Sequence, residues 1–161
     1  MKHTISVIVE NKPGVLSRVA GLFSRRNFNI ESLAVGTTED PSISRMTIVA
    51  AGDDKTLEQI IKQLYKLINV IRVFDIPKDK AVEKHLMLAK IKFSEKTRPE
   101  IIELVDVYKG EIINVGKNSM IIEVTGDEDK IAGIEKLLNK FGIIELVRTG
   151  KIALERETET E

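Results

Sequence analysis

Hydrophobic and polar residues recur along the first eighty positions with two different periods. A period of two predicts β-strands, and a period near 3.6 predicts amphipathic helices. The pattern predicts a βαββαβ order, the split βαβ or ferredoxin-like arrangement. The predicted strands are 4–10, 30–37, 43–51 and 70–76, and the predicted helices are 14–26 and the stretch after Asp53.

The first helix opens at Pro13–Gly14, and its apolar stripe is Leu16, Val19, Ala20 and Phe23. Its first turn presents unpaired N–H groups and the positive end of the helix dipole, which together favour a carboxylate or a phosphate. An ordinary strand-to-helix turn explains Pro-Gly equally well when these two residues are taken alone.

The second half of the chain repeats the first at one fixed offset. Gly52 corresponds to Gly126, and Leu64 corresponds to Leu138. Upstream, the pattern predicts a strand over 85–93, a helix opened by the capping box Thr97–Glu100, and a strand over 110–115. The fold class is therefore α+β, with two ferredoxin-like domains whose antiparallel sheets carry helices on one face. No Pro-Gly corner opens the helix of the second half, so the halves share a fold but not a ligand site.

These patterns divide the chain into a ligand-binding and dimerising domain (1–77), a linker (78–81), a second domain (82–155) and an acidic tail (156–161). We expect the tail to be frayed.

The composition of the chain excludes several classes of function. The formal net charge is +0 and cysteine is absent, so no global field attracts nucleic acid and no thiol chemistry is available. No signal peptide or transmembrane run occurs, so we expect a cytoplasmic protein without membrane contact. No phosphate-binding glycine loop occurs, and neither His3 nor His85 has an obvious triad or metal partner. We therefore expect no catalytic residue, no metal site and no cofactor on this chain.

The fold places the second strand at a sheet edge. Strand 30–37 contains no proline or lysine to protect that edge, so pairing with a two-fold copy is expected. In one copy Asn11 and Gly14 lie at the opposite end of the domain from Asn29. The two-fold axis brings the partner's Asn29 beside this corner, where amide donors and apolar side chains suit a zwitterion with a small branched side chain. The candidate ligand contacts are Asn11, Gly14, Val15, Leu16, Asn29 and Ile30.

Four segments resemble the regulatory small subunit of acetolactate synthase (acetohydroxyacid synthase). They are Asn11–Val19, Asn29–Leu33, Asp40–Thr47 and Glu58–Leu67, with weaker likeness at His85–Ile91 and Gly110–Val115. The resemblance implies an N-terminal ACT domain that binds valine or a related branched-chain amino acid between two copies. It places the ligand contacts at the same six positions, Asn11, Gly14, Val15, Leu16, Asn29 and Ile30.

The resemblance also implies a partner, the catalytic large subunit, which the small subunit activates and makes sensitive to feedback inhibition. Thiamine diphosphate, Mg²⁺ and FAD are expected on that subunit.

Several alternatives stay open at this point. Asn11 could cap the first helix, Asn29 could be a turn residue with positive φ, and Arg18 could belong to a solvated helix face. The whole chain could be a free-standing ACT-type amino-acid sensor for another enzyme or regulator. An RNA-binding module of the same plan is a weaker rival, because aromatic content is only 4% and the third strand lacks the stacking aromatics that such modules use.

Overall fold

The computed structural model describes residues 1–158. By its internal contacts the chain forms two compact units. The first comprises Met1–Val82 together with the chain from Gly150 onward, and the second comprises Glu83–Thr149.

The first unit follows the predicted βαββαβ order. Its strands form one antiparallel sheet in the order β2-β3-β1-β4, so β1 and β3 are central and β2 and β4 are the edges. The edge position of β2 is the one predicted. β1 and β2 are both antiparallel to β3, and they therefore run parallel to each other. The elements are β1 (Lys2–Glu10), α1 (Val15–Arg25), β2 (Ile30–Thr37), β3 (Ile43–Ala51), α2 (Asp54–Tyr65) and β4 (Val70–Asp75).

The core of the first unit lies between one face of this sheet and the two helices. Alternate residues of the central strands point to this face, and each contributes roughly 1.5–3 kcal/mol when fully buried. This packing holds α1 against the sheet and fixes the turn that leads from β1 into α1. The buried cluster includes Ile5, Val7, Val9, Val15, Val19, Phe23, Met46, Ile48, Ile60 and Leu64.

The second βαββαβ set has the same topology. Its sheet runs in the order β6-β7-β5-β8, and the two helices bury their apolar stripes with Met87, Ile91 and Ile122. The predicted α+β class with two ferredoxin-like domains is confirmed. The elements are β5 (Ala81–Lys92), α3 (Arg98–Val107), β6 (Glu111–Val115), β7 (Ser119–Gly126), α4 (Glu128–Leu138) and β8 (Ile143–Arg148).

One predicted helix cap is wrong. Thr97 has helical backbone angles and makes no side-chain cap to α3, because its hydroxyl oxygen accepts a hydrogen bond from the Ser94 amide at 2.9 Å instead. Asp53 caps α2 and Asp127 caps α4, and each carboxylate accepts from the amide three residues later, at 2.8 and 2.9 Å.

The compact units divide the chain at other positions than the predicted boundaries. A last strand that the sequence pattern did not predict, β9 (Ile152–Glu155), pairs with β5. Ala153 is buried in a small cluster with Ile76 and Ala81. The predicted linker is a 3₁₀ turn at Lys78–Lys80 followed directly by β5, and the chain from Gly150 belongs to the first unit. Of the predicted acidic tail, residues 159–161 lie outside the described part of the chain.

Candidate functional site

The turn after β1 is held by the loop between β2 and β3. The Asn11 backbone amide donates to the Ser42 carbonyl oxygen at 2.7 Å, and the Asn11 side-chain Nδ2 donates to the Pro41 carbonyl oxygen at 3.0 Å. Helix α1 has no side-chain cap, so the alternative that Asn11 caps this helix is wrong. The bond to Pro41 uses the amide nitrogen, so the side-chain oxygen Oδ1 keeps its capacity to accept a hydrogen bond.

Gly14 is the residue that turns the chain into α1. Its φ of 83° lies in the left-handed region that favours glycine, and the Arg18 amide donates to the Gly14 carbonyl oxygen at 3.1 Å. The first-turn N–H groups of an α-helix have no acceptor within the helix. The Val15 amide donates to the Lys12 carbonyl oxygen at 3.4 Å, so at this corner those groups belong to Leu16 and Ser17, and they form an electropositive surface.

Arg18 adds a full positive charge to the same corner. Its Nη1 donates to the Oδ1 of Asn69, which is buried. Its Nη2 lies 3.5 Å from the point where a Cβ on Gly14 would stand. Arg18 is exposed, as the predicted solvated helix face requires, but its bond to Asn69 was not predicted. The available signal for its place beside Gly14 was the spacing of four residues, because residues i and i+4 share one face of a helix.

A second ion pair lies at the end of β1. Lys12 Nζ is 2.7 Å from the Glu10 carboxylate, and a hydrogen bond from Lys12 holds the pKa of Glu10 below its usual value. Glu10 is therefore ionised at neutral pH, and its charge is balanced locally.

The two predicted apolar contacts at the corner differ in exposure. The Val15 side chain is only 4% exposed and packs in the core of the first unit, whereas Leu16 is 44% exposed. Leu16 can therefore provide an apolar wall for a ligand, while Val15 presents only its backbone there. This difference in exposure follows from the helix repeat, because adjacent residues on a helix point about 100° apart.

Asn29 and Ile30 lie at the other end of the sheet. Ile30 is half-buried and pairs with Ala50, whereas Glu10 pairs with Ile43 at the opposite end of β3. Ala50 also pairs with His3, and seven residue steps along β1 lead from His3 to Glu10, which corresponds to roughly 23 Å. The corner residues and the Asn29–Ile30 pair therefore do not meet within one copy of the protein. The positive φ in this turn belongs to Asn27, at 59°, so the reading of Asn29 as a turn residue with positive φ is wrong.

β2 is an edge strand whose hydrogen-bonded neighbour in the described part of the chain is β3. Lys151 contacts β2, and its amide donates to Ser32 Oγ at 3.0 Å. Gly150 packs so closely there that an added Cβ would lie 2.4 Å from the Leu33 carbonyl oxygen. Sequence reasoning missed this contact because it joins positions 119 residues apart.

Residues 1–158 contain no cluster of three or more side chains that could hold a metal ion. Within the same residues, no helix has both the length and the apolar character needed to cross a bilayer.

Two family models match the chain, one for each βαββαβ set. Residues 5–72 match the model described as "AHAS small subunit-like ACT domain". Residues 84–157 match the model described as "Small subunit of acetolactate synthase".

Curated relatives and a solved structure agree with these models. The chain is 56% identical to a probable acetolactate synthase small subunit of Archaeoglobus fulgidus, over 97% of this chain and 98% of the relative. It is 48% identical to the acetolactate synthase small subunit of Mycobacterium leprae, over 96% and 91% of the two chains. The crystal structure of the small subunit from Thermotoga maritima superposes with a TM-score of 0.93 at 43% identity, covering 98% of this chain and 99% of that one.

Proposed function

Since this chain belongs to the acetolactate synthase small-subunit family, we propose that it binds a branched-chain amino acid, valine foremost, and controls a catalytic large subunit. The chain itself is the regulatory component. The large subunit carries thiamine diphosphate, Mg²⁺ and FAD and performs the reaction. The small subunit activates it, and the bound amino acid inhibits it by feedback.

The observation that carries this proposal is the separation of the candidate contacts within one copy. The corner at Asn11–Leu16 and the Asn29–Ile30 pair lie at opposite ends of the sheet, and β2 is an edge strand. Antiparallel pairing of β2 with the β2 of a second copy inverts the partner, so the Asn29 end of one copy lies beside the corner of the other. A two-fold dimer then contains two equivalent sites.

The corner suits each group of an aliphatic amino acid. The carboxylate accepts from the first-turn N–H groups of α1 and lies near the Arg18 guanidinium. The ammonium donates to Asn11 Oδ1 and to the side-chain oxygen of the partner subunit's Asn29. The branched side chain packs against Leu16 and the partner subunit's Ile30.

Regulation follows because both copies of the small subunit contact the same bound amino acid. An amino acid held by two copies favours one relative placement of the two, and this placement alters how the large subunit is held. Feedback of several-fold to about 100-fold needs a coupling free energy of only about 1–3 kcal/mol. A few hydrogen bonds and one buried isopropyl group are enough for this.

The test combines gel filtration with an activity assay. The full chain is mixed with a catalytic acetolactate synthase subunit, and the proposal predicts that the two co-elute. It also predicts that acetolactate formation is faster in the mixture and becomes sensitive to valine. If the chain binds valine but elutes separately and leaves the rate unchanged, it is a free-standing amino-acid sensor instead.

A further inference from the structure

The sheet of the first unit has two edges, and they differ in their hydrogen bonding. At the β4 edge, the Tyr65 hydroxyl engages both backbone groups of Val73. It accepts from the Val73 amide at 3.1 Å and donates to the Val73 carbonyl oxygen at 3.1 Å. Tyr65 is the last residue of α2, so the end of this helix carries a side chain across to the strand.

The groups that Tyr65 engages are those that face away from the sheet. Val73 lies opposite Val7 on β1, and in an antiparallel ladder a residue points both its N–H and its C=O either toward one neighbour strand or away from it. Because both groups of Val73 bond to the hydroxyl, they point outward. One oxygen atom therefore occupies the place that a further strand would take at this residue.

Outside Val73, the strand has only milder edge protection, which consists of one irregularity and the charged residues Arg72 and Asp75. The pairing of β1 with β4 is irregular at Ile71, which leaves the regular part of the strand centred on Val73. The Arg72 guanidinium lies 4.4 Å from the centroid of the Phe74 ring, so it stacks on its neighbour. β4 contains no proline or lysine, the residues that commonly protect an edge, and Ile71 is half exposed.

We propose that the Tyr65 hydroxyl blocks strand pairing at the β4 edge. Sheet pairing is thereby restricted to β2, with a second copy of this chain as the partner. This inference rests on the proposed function, because it takes β2 as the pairing edge. A sheet with one unprotected edge pairs with one other copy and forms a two-fold dimer. A sheet with two open edges can add copies on both sides and forms open-ended assemblies.

The test uses Tyr65→Phe in the full chain, which removes one oxygen atom and keeps the ring. The matched control is Tyr108→Phe, the same change at the other tyrosine of the sequence, which lies in the second unit. Hydrogen exchange reports the Val73 amide, and light scattering after gel filtration reports the mass over a wide concentration range.

We expect Val73 to exchange about two- to ten-fold faster in Tyr65→Phe, the factor that corresponds to one hydrogen bond. We also expect the mass to rise above that of the wild type with concentration, while Tyr108→Phe behaves as the wild type. Adding Ile71→Lys to Tyr65→Phe should restore the wild-type mass, because an edge lysine blocks pairing. A general loss of stability would not be corrected by a charge at an exposed position.

An unchanged mass of Tyr65→Phe at every concentration would overturn the role of Tyr65. A higher mass of Tyr65→Phe that is not reversed by adding Ile71→Lys would also overturn the role of Tyr65. The wild-type mass separately tests the pairing itself. A monomeric wild type contradicts the β2 dimer of the proposed function, whatever Tyr65→Phe does, whereas a dimeric wild type with an unaffected Tyr65→Phe variant contradicts only the blocking of the β4 edge by Tyr65.

Discussion

The side-chain amide of Asn11 donates to the Pro41 carbonyl oxygen at 3.0 Å. This bond fixes the side chain in one orientation and joins the Pro13–Gly14 corner to the loop between β2 and β3. In the proposed site the amide oxygen of Asn11 accepts from the ligand ammonium, and the bond to Pro41 orients that oxygen in advance. Pre-orientation of this kind lowers the entropy cost of binding.

Asn11→Ala should weaken valine binding by about 10- to 100-fold, the range for a hydrogen bond to a charged group. Thermal stability should change little, because the bond to Pro41 is exposed. Calorimetry measures the affinity. The control is Thr38→Val, which removes a hydroxyl that donates to Ile43 in the same loop, at 3.2 Å. Equal weakening in both variants would mean that Asn11 acts only through the loop.

Gly14→Asp should abolish measurable valine binding. The new carboxylate would lie beside Arg18, since a Cβ on Gly14 is 3.5 Å from Arg18 Nη2, and it would repel the ligand carboxylate. Gly14→Ala separates charge from backbone strain, because a left-handed alanine costs roughly 1–2 kcal/mol without adding charge. We expect Gly14→Ala to be less stable but to retain some binding. Unchanged valine affinity in Gly14→Asp would remove Gly14 from the site.

Gly150→Ala should lower the free energy of unfolding by about 1–3 kcal/mol, the usual cost of overpacking. A Cβ there would lie 2.4 Å from the Leu33 carbonyl oxygen and 2.6 Å from its carbonyl carbon, and backbone atoms cannot move aside as a flexible side chain can. The control is Gly36→Ala, which lies on β2 like Leu33, since nothing lies within 4 Å of the Cβ position of Gly36. Denaturant unfolding measures both variants, and equal stabilities would show that the close approach at Gly150 carries no energetic weight.

Asp75→Asn should raise the Tm at pH 7. Burial raises the pKa of Asp75, with the nearby His3 lowering it and Asp54 raising it. A folded-state pKa above the unfolded value means that the folded protein binds more protons, so this group's contribution to stability falls as pH rises through that range. The ionised carboxylate therefore costs stability at neutral pH.

The advantage of Asp75→Asn should shrink below pH ~4, where the carboxyl is protonated in both states. Thermal denaturation of the variant and the wild type at pH 7 and pH 3 checks this. The exposed Asp79 gives a control, Asp79→Asn. A lower Tm for Asp75→Asn than for the wild type at pH 7 would contradict the sign.

The strands and helices of both units follow from local pattern, because their buried faces repeat with regular periods. The pattern placed β2 at Ile30–Thr37 and β3 at Ile43–Ala51, the bounds that the structure has. It did not predict β9, since Ile152–Glu155 is short and its partner lies far away in sequence. Side-chain direction was harder to foresee. The predicted α1 stripe included Leu16, whereas the structure buries Val15 and leaves Leu16 exposed, because packing against the sheet decides which face of the helix turns inward. The bond from Arg18 to Asn69 joins positions 51 residues apart, which a local pattern does not relate.

In the proposed dimer, each effector site is built by two copies, with Asn11 from one and Asn29 from the other. Mixing Asn11→Ala dimers with Asn29→Ala dimers tests this shared site. After subunit exchange, each mixed dimer contains one site with both asparagines and one site with neither. The account predicts that calorimetry recovers tight valine binding at about a quarter of the wild-type number of sites. If mass spectrometry shows mixed dimers but tight binding does not return, the two asparagines do not share a site across copies, and the account is wrong.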